Sequence, residues 1–266
     1  MKNNKIPSPR SVKNLIYDIK DYAFPDCEMR AFGTRVKLKD KLLLAKIKRE
    51  LGNLIKGCFL FDCKSHTDEK RLNRTVKELT SSFISQLESI AALLDLDAAQ
   101  TVQCDPSAEC KRMVISYFPG FTAIMTYRIA HFFYLKKVPF LPRLMTEFAH
   151  SRTGIDINAG AKIGRNFFID HGTGVVIGET SVIGDDCRIY QGVTLGALSL
   201  KNVDKSLCLK RHPTLGNNVT VYANATILGG KTEIGDNCVI GGNTFIIRSV
   251  PANSKIVEEP TKIKID

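Results

Sequence analysis

A histidine flanked by an aspartate and glycines is the first place where this sequence could do chemistry. Asp170-His171-Gly172-Thr173-Gly174 places an imidazole in a flexible stretch. Imidazole titrates near neutral pH and can take a proton from an alcohol as the oxygen attacks an electrophile. A carboxylate on the second ring nitrogen would fix the tautomer and favour the imidazolium that forms. The candidates are Asp156 and Asp170. Neighbouring side chains on a strand point to opposite faces, so Asp156 is the favoured orienting partner of His171. A loop histidine on the surface is the alternative reading. A second polar cluster, Lys210-Arg211-His212-Pro213, offers a guanidinium fork suited to a carboxylate; a solvated basic loop is its alternative. The eight cysteines form no C-x-x-C pair, and no histidine lies at finger spacing. No metal is expected. Cys187 and Cys238 fall at small-residue positions of a repeat, which suggests packing and not reactivity.

The elements that must hold these residues follow from periodicity. Ile157, Ile163, Ile169 and Val175 lie six apart. The phase slips by two, and Ile177, Ile183, Ile189 and Leu195 continue. After a polar stretch from Ser199 to His212, the step resumes at Leu215, Val221 and Ile227, slips by one, and ends with Ile234, Ile240 and Ile246. Glycine often follows the aliphatic residue, as in Ile163-Gly164 and Ile183-Gly184. A period of six fits neither a helix nor a single amphipathic strand; it fits a short strand and a turn, repeated. Three such units make one triangular coil of about 18 residues with the aliphatic side chain inside. Coils of this hexapeptide kind wind left-handed, against the usual crossover rule. Breaks in register bulge the wall or eject a loop, which is where function tends to sit.

Before residue 154 the period is helical. Leu42 to Ile55 and Leu72 to Leu94 carry apolar residues at spacings of three and four. Asp105-Pro106 has the form of a helix cap and first position. Phe121 to Tyr134 and Leu144 to His150 read as further helices. The expected fold is α+β: a helical domain over 1–153, a left-handed parallel β-helix over 154–250 with an excursion at about 198–213, and a short tail over 251–266. The net charge of +11 is spread evenly, with 19 basic and 13 acidic residues in 1–100. The basic run from Lys37 to Arg49 reads as a solvated helix face. No nucleic-acid partner is expected without a clustered footprint or motif. No apolar run reaches the ~20 residues of a membrane span, and the basic, polar N-terminus has no signal-peptide core. The expectation is a cytoplasmic protein.

Several stretches together resemble serine O-acetyltransferases: Thr153-Gly154-Ile155-Asp156-Ile157, Asp170 to Thr180, Gln191-Gly192-Val193-Thr194-Leu195-Gly196 and Arg211-His212-Pro213, with Asp105-Pro106 and Tyr127 to His131 upstream. The resemblance implies transfer of acetyl from acetyl-CoA to the hydroxyl of L-serine, giving O-acetylserine for cysteine synthesis, with His171 as base and Asp156 as its partner. It implies that Asp105 and Asp170 lie around the serine amino group, and Arg211 and His212 around its carboxylate. Gly196, Ala197, Ala223 and Gly242 are implied to line acetyl-CoA in a groove between neighbours of a homotrimer. It also implies feedback inhibition by L-cysteine, and pairing of two trimers through the N-terminal region. Many relatives end in an isoleucine that enters cysteine synthase. This sequence ends Lys264-Ile265-Asp266, where the extra carboxylate opposes burial of the isoleucine, so no tight complex of that kind is expected.

Other readings remain at this level. Another hexapeptide O-acetyltransferase, acting on a sugar or small-molecule hydroxyl, would explain the coils and His171, but not a set suited to an amino acid zwitterion. A γ-class carbonic anhydrase needs three zinc histidines per site, and only His171 and His212 of the five histidines lie in the coils. A silent scaffold would have no use for Asp156, His171 and Arg211.

Overall fold

Ten aliphatic-to-aliphatic steps of six predict a coil, and in a computed structural model of the chain every marker but the half-buried Ile163 is buried. The structure describes residues 7–25, 36–62, 68–199 and 209–258. Cys27, Cys63, Cys208, His66, most of the excursion and the terminal Lys264-Ile265-Asp266 lie outside them. The chain forms two compact units, Met1–Thr153 and Gly154–Asp266.

The first unit holds α1 (Pro9–Ala23), α2 (Val36–Phe61), α3 (Glu69–Cys104), α4 (Lys111–Tyr117), α5 (Pro119–Leu135) and α6 (Leu141–Thr153). Ser8 caps α1 by accepting the Ser11 amide, and Pro9 opens the helix. Val12, Leu15, Ile16 and Ile19 form its buried stripe. Helix α5 is apolar nearly all round and, Thr122 apart, buried from Gly120 to Ala130. Its Phe133 packs on Phe83 of α3, with ring centroids 5.0 Å apart. Arg128 interrupts this apolar helix and is matched by Asp97 of α3. The pair is bidentate, with Nε to Oδ2 at 2.6 Å and Nη2 to Oδ1 at 2.8 Å, and both side chains are buried.

Asp105 does not start a helix. It ends α3, and its carboxylate accepts the Ser107 amide at 2.8 Å while its carbonyl accepts that of Ala108. An aspartate that bonds two residues ahead makes a turn that competes with a helical first turn, so the next helix waits until Lys111.

The second unit is a left-handed parallel β-helix with three walls. The first wall stacks β1 (Asp156–Ile157), β4 (Val176–Ile177), β7 (Thr194–Gly196), β10 (Thr226–Leu228) and β13 (Phe245–Ile246). The second stacks β2 (Lys162–Ile163), β5 (Val182–Ile183), β8 (Thr214–Leu215) and β11 (Glu233–Ile234). The third stacks β3 (Phe168–Ile169), β6 (Arg188–Ile189), β9 (Thr220–Val221), β12 (Val239–Ile240) and β14 (Lys255–Ile256). Ile157, Ile177, Leu195, Ile227 and Ile246 lie in one inward register. A second buried row lies two residues earlier and includes Ala161, Phe167, Cys187, Val219 and Cys238. The Cys187 and Cys238 thiols donate to the carbonyls of Gly216 and Pro251, and burial pushes the Cys187 thiol up to about 11.

The vertex between the second and third walls carries left-handed residues in a column: Asn166, Asp186, Asn218, Asn237 and Asn253. Asparagine and aspartate tolerate this backbone region best after glycine. Their side chains bond from coil to coil, as in Asn218 Nδ2 to Asn237 Oδ1 at 2.9 Å. The coil runs past residue 250. Strand β14 closes the third wall against β12, although Ile256 falls outside the six-residue step after Pro251.

Candidate active site

The site is built on two of the three vertices. At the vertex joining the third wall to the first, the two-residue slip produces the turn that carries His171. The turn leaves β3 at Ile169, and His171 has φ +54°. It rests on the coil below: Gly174 N–H donates to the Gly154 carbonyl at 2.9 Å, and Asp156 N–H to that of Val175. A Cβ on Gly172 would stand 2.4 Å from Ile155 Cδ1, and this glycine also has φ +80°. Only glycine lets the turn sit so low. The His171 side chain is 72% exposed, and its Nδ1 lies 3.7 Å from Asp170 Oδ1.

That contact corrects the alternation argument that turned Asp170 away. His171 lies beyond the strand in a left-handed turn, where opposite-face alternation no longer holds. At 3.7 Å the two groups share an electrostatic contact and not a hydrogen bond. Asp156, half-buried on β1, is in register with Val176 of β4; the structure does not bring its carboxylate within hydrogen-bonding distance of His171. Asp105 belongs to the helical unit and its end-of-helix turn. The remaining residues of the expected acetyl-CoA groove divide between the vertices. Ala223 and Gly242 are stacked on the His171 vertex, where a Cβ on Gly242 would meet the Ala223 carbonyl at 3.0 Å. Gly196 and Ala197 lie at the other, where the first wall turns into the second.

At this second vertex the excursion returns as Lys210-Arg211-His212-Pro213 and is fastened to the coil below. Arg211 Nη2 pairs with Glu179 Oε2. Thr180 Oγ1 accepts the amides of Arg211 at 2.9 Å and His212 at 3.0 Å. The Thr180 amide donates to His212 Nδ1 at 3.0 Å. Lys210 Nζ donates to the carbonyls of Thr180, His212 and Pro213. The imidazole lies over Gly178, where a Cβ would fall 2.0 Å from its Cδ2.

A protein described as a plasmid serine acetyltransferase of Synechococcus elongatus is 40% identical over 267 residues, covering 94% of this chain and 81% of its own length. The chain belongs to the serine acetyltransferase family. Serine acetyltransferase isoform 3 of Entamoeba histolytica, solved in complex with cysteine, superposes with a TM-score of 0.78 at 34% identity, covering 95% of this chain and 84% of that one. The Neisseria gonorrhoeae serine acetyltransferase in complex with serine gives 0.62 at 27% identity, covering 94% and 97%. No family model matches. Among the described residues no cluster of metal-ligating side chains is found, and no helix is long and apolar enough to cross a membrane.

Glu179 and Thr180 are the site residues that reasoning from the sequence passed over. Both stand in the stretch that resembles the family, but their partners lie 31 and 32 residues away across the excursion, beyond the reach of any local pattern. Burial, with Arg211 adding to it, pushes the His212 imidazole down to about 4. The folded state therefore keeps His212 neutral between about pH 4 and the ordinary value of 6.5, where the unfolded chain binds a proton. More protons on the unfolded state means stability falls as pH falls. The thermal midpoint of the coil unit is expected to drop progressively from pH 6.5 towards pH 4. Replacement by His212→Asn should flatten that part of the profile; an unchanged slope would remove His212 from it.

Proposed function

We propose that this chain transfers an acetyl group from acetyl-CoA to the hydroxyl of L-serine, giving O-acetylserine and CoA. The observation that carries this reading is a pair of carboxylate-suited donors, Arg211 and His212, mounted on Glu179 and Thr180 of the coil that carries an exposed imidazole. The likeness to serine acetyltransferases, including one holding serine and others holding cysteine, supports it. His171 takes the serine hydroxyl proton as the oxygen attacks the thioester carbonyl. A tetrahedral intermediate forms and collapses, the C–S bond breaks, and the sulfur leaves to become the CoA thiol. The buried thiols of Cys187 and Cys238 already serve the core, so direct transfer in a ternary complex requires no acyl-enzyme.

The two vertices flank the first wall. At ~3.3 Å per strand residue they stand roughly 10 Å or more apart, more than one serine spans. The site we propose therefore combines the His171 vertex of one copy with the Arg211 vertex of a neighbour in a homotrimer. Gly196 and Ala197 then face Ala223 and Gly242 across the acetyl-CoA groove. Asp156 is assigned to orient His171, because the turn bearing the base is hydrogen-bonded to the backbone beside it. Asp170 is left to receive the serine ammonium. L-cysteine, with the same ammonium and carboxylate, competes for this site. The free thiols of Cys58, Cys104 and Cys110 support a reducing, cytoplasmic setting.

Thiol release from acetyl-CoA, measured with L-serine against other alcohols, tests the reading; faster release with a sugar hydroxyl would replace it. Arg211→Ala is expected to raise KM for serine by ~10-fold or more and weaken inhibition by cysteine in parallel, with KM for acetyl-CoA nearly unchanged. Equal rises for both substrates would move Arg211 to the acetyl-CoA groove.

A further inference from the structure

The hydrogen bonds around His212 specify which of its nitrogens carries the proton. A backbone amide can only donate, and the Thr180 amide points at Nδ1 from 3.0 Å. Nδ1 must then present its lone pair, so the ring proton is on Nε2. The Thr180 hydroxyl, 2.9 Å from the same Nδ1, has both lone pairs taken by the amides of Arg211 and His212. Its hydrogen is thereby directed at the imidazole, where it shares the one Nδ1 lone pair with the Thr180 amide. One threonine thus contacts the ring and the main chain on which both Arg211 and His212 are mounted. The remaining nitrogen, Nε2, makes no hydrogen bond among the described residues.

The charged groups facing His212 favour the neutral ring. Arg211 and Lys210 oppose a further positive charge, and Glu179 is engaged by the Arg211 guanidinium. Lys210 comes from the same strand entry and is enclosed by three carbonyls.

We propose that Thr180 is a positioning residue that holds His212 as a neutral imidazole with its proton on Nε2, so that the substrate carboxylate meets one cation, Arg211, and one uncharged N–H donor. This rests on the serine-binding role proposed above for Arg211 and His212. It adds that His212 is neither a second base nor a second cation, and contributes no ionisation to the activity profile above about pH 5.

The test has two arms. Nitrogen NMR of the full-length enzyme labelled at histidine, with His212 assigned by its loss in His212→Asn, reads the tautomer without reference to activity. The expected spectrum keeps an unprotonated Nδ1 from about pH 8 to about pH 5.5. A proton on Nδ1, or a titration centred above about pH 6, would overturn the proposal. The second arm is kinetic. Thr180→Val should raise KM for serine by ~10-fold or more, the cost of a lost hydrogen bond beside a charged group, with KM for acetyl-CoA within about twofold. Thr180→Ser should return serine KM to within about threefold of the parent. Equal rises in both KM values, or a serine variant as impaired as the valine one, would show a general packing role and refute the assignment. If the serine reading itself failed, there would be no serine KM to measure, and the NMR arm would still decide the tautomer.

Discussion

His171→Ala is expected to lower kcat by ~10²–10⁴, the usual contribution of a positioned general base, while leaving the coil folded. The imidazole is largely exposed and fills no cavity, so its removal costs little packing. Its turn is held by main-chain bonds and by Gly172 seated on Ile155, neither of which involves the ring. The fall should appear in kcat and kcat/KM together, because the interaction with the serine hydroxyl matures in the transition state. Asp156→Asn should lower kcat less than His171→Ala does, since it misorients the base and leaves it in place. Asp170→Asn should instead act on KM for serine. Steady-state kinetics on the three variants would check this. Near-normal turnover by His171→Ala would end the proposed mechanism; a kcat effect at Asp170 larger than at Asp156 would exchange the two aspartates.

The second large effect concerns stability. Asp97→Ala leaves the Arg128 guanidinium buried beside α3 without its carboxylate. Asp97 is fully buried and Arg128 nearly so, so neither charge can be satisfied by simple exposure. Breaking one partner of such a pair costs ~3–5 kcal/mol, a large part of the ~5–15 kcal/mol that holds a typical domain together. The denaturation of the helical unit, followed in urea by circular dichroism, should shift by about that amount. Asp97→Leu combined with Arg128→Met should recover most of it, because two apolar residues require no counter-charge. A shift below about 1 kcal/mol for Asp97→Ala would mean that water reaches Arg128 and that the pair merely occupies space.

The coil was readable because each step of six projects one aliphatic side chain inward, and the requirement is met locally, strand by strand. The helical stripes were readable for the same reason. Asp97 and Arg128 were not, since their match spans 31 residues and two helices. From the sequence Arg128 registers only as an interruption in an apolar helix. Asp105-Pro106 misled because an aspartate before a turn and an aspartate before a helix use the same acceptor, and only the partner amide distinguishes them. His171, Arg211 and His212 could be found as residue types in defects of the repeat. How Arg211 and His212 are held depends on Glu179 and Thr180, brought beneath them only when the coil above the excursion resumes its register. The Asp170 contact depended on a left-handed backbone at His171 that no residue type announces.

Among the described residues strand β14 has one neighbour, β12, and none of them pairs with the main-chain groups on its other side. Such an edge can template the strand of another molecule, and a stack of coils invites end-to-end growth into a fibre. Here the edge is guarded. The strand is two residues long, Lys255 on it is exposed, and Pro251, entering the last turn, has no amide to offer a ladder. A lysine met by its own copy repels, and two residues supply too few bonds to overcome that repulsion. This last described strand is thus an aggregation barrier, and Lys255 and Pro251 serve colloidal behaviour in a half of the molecule whose other conspicuous residues serve the core or the site.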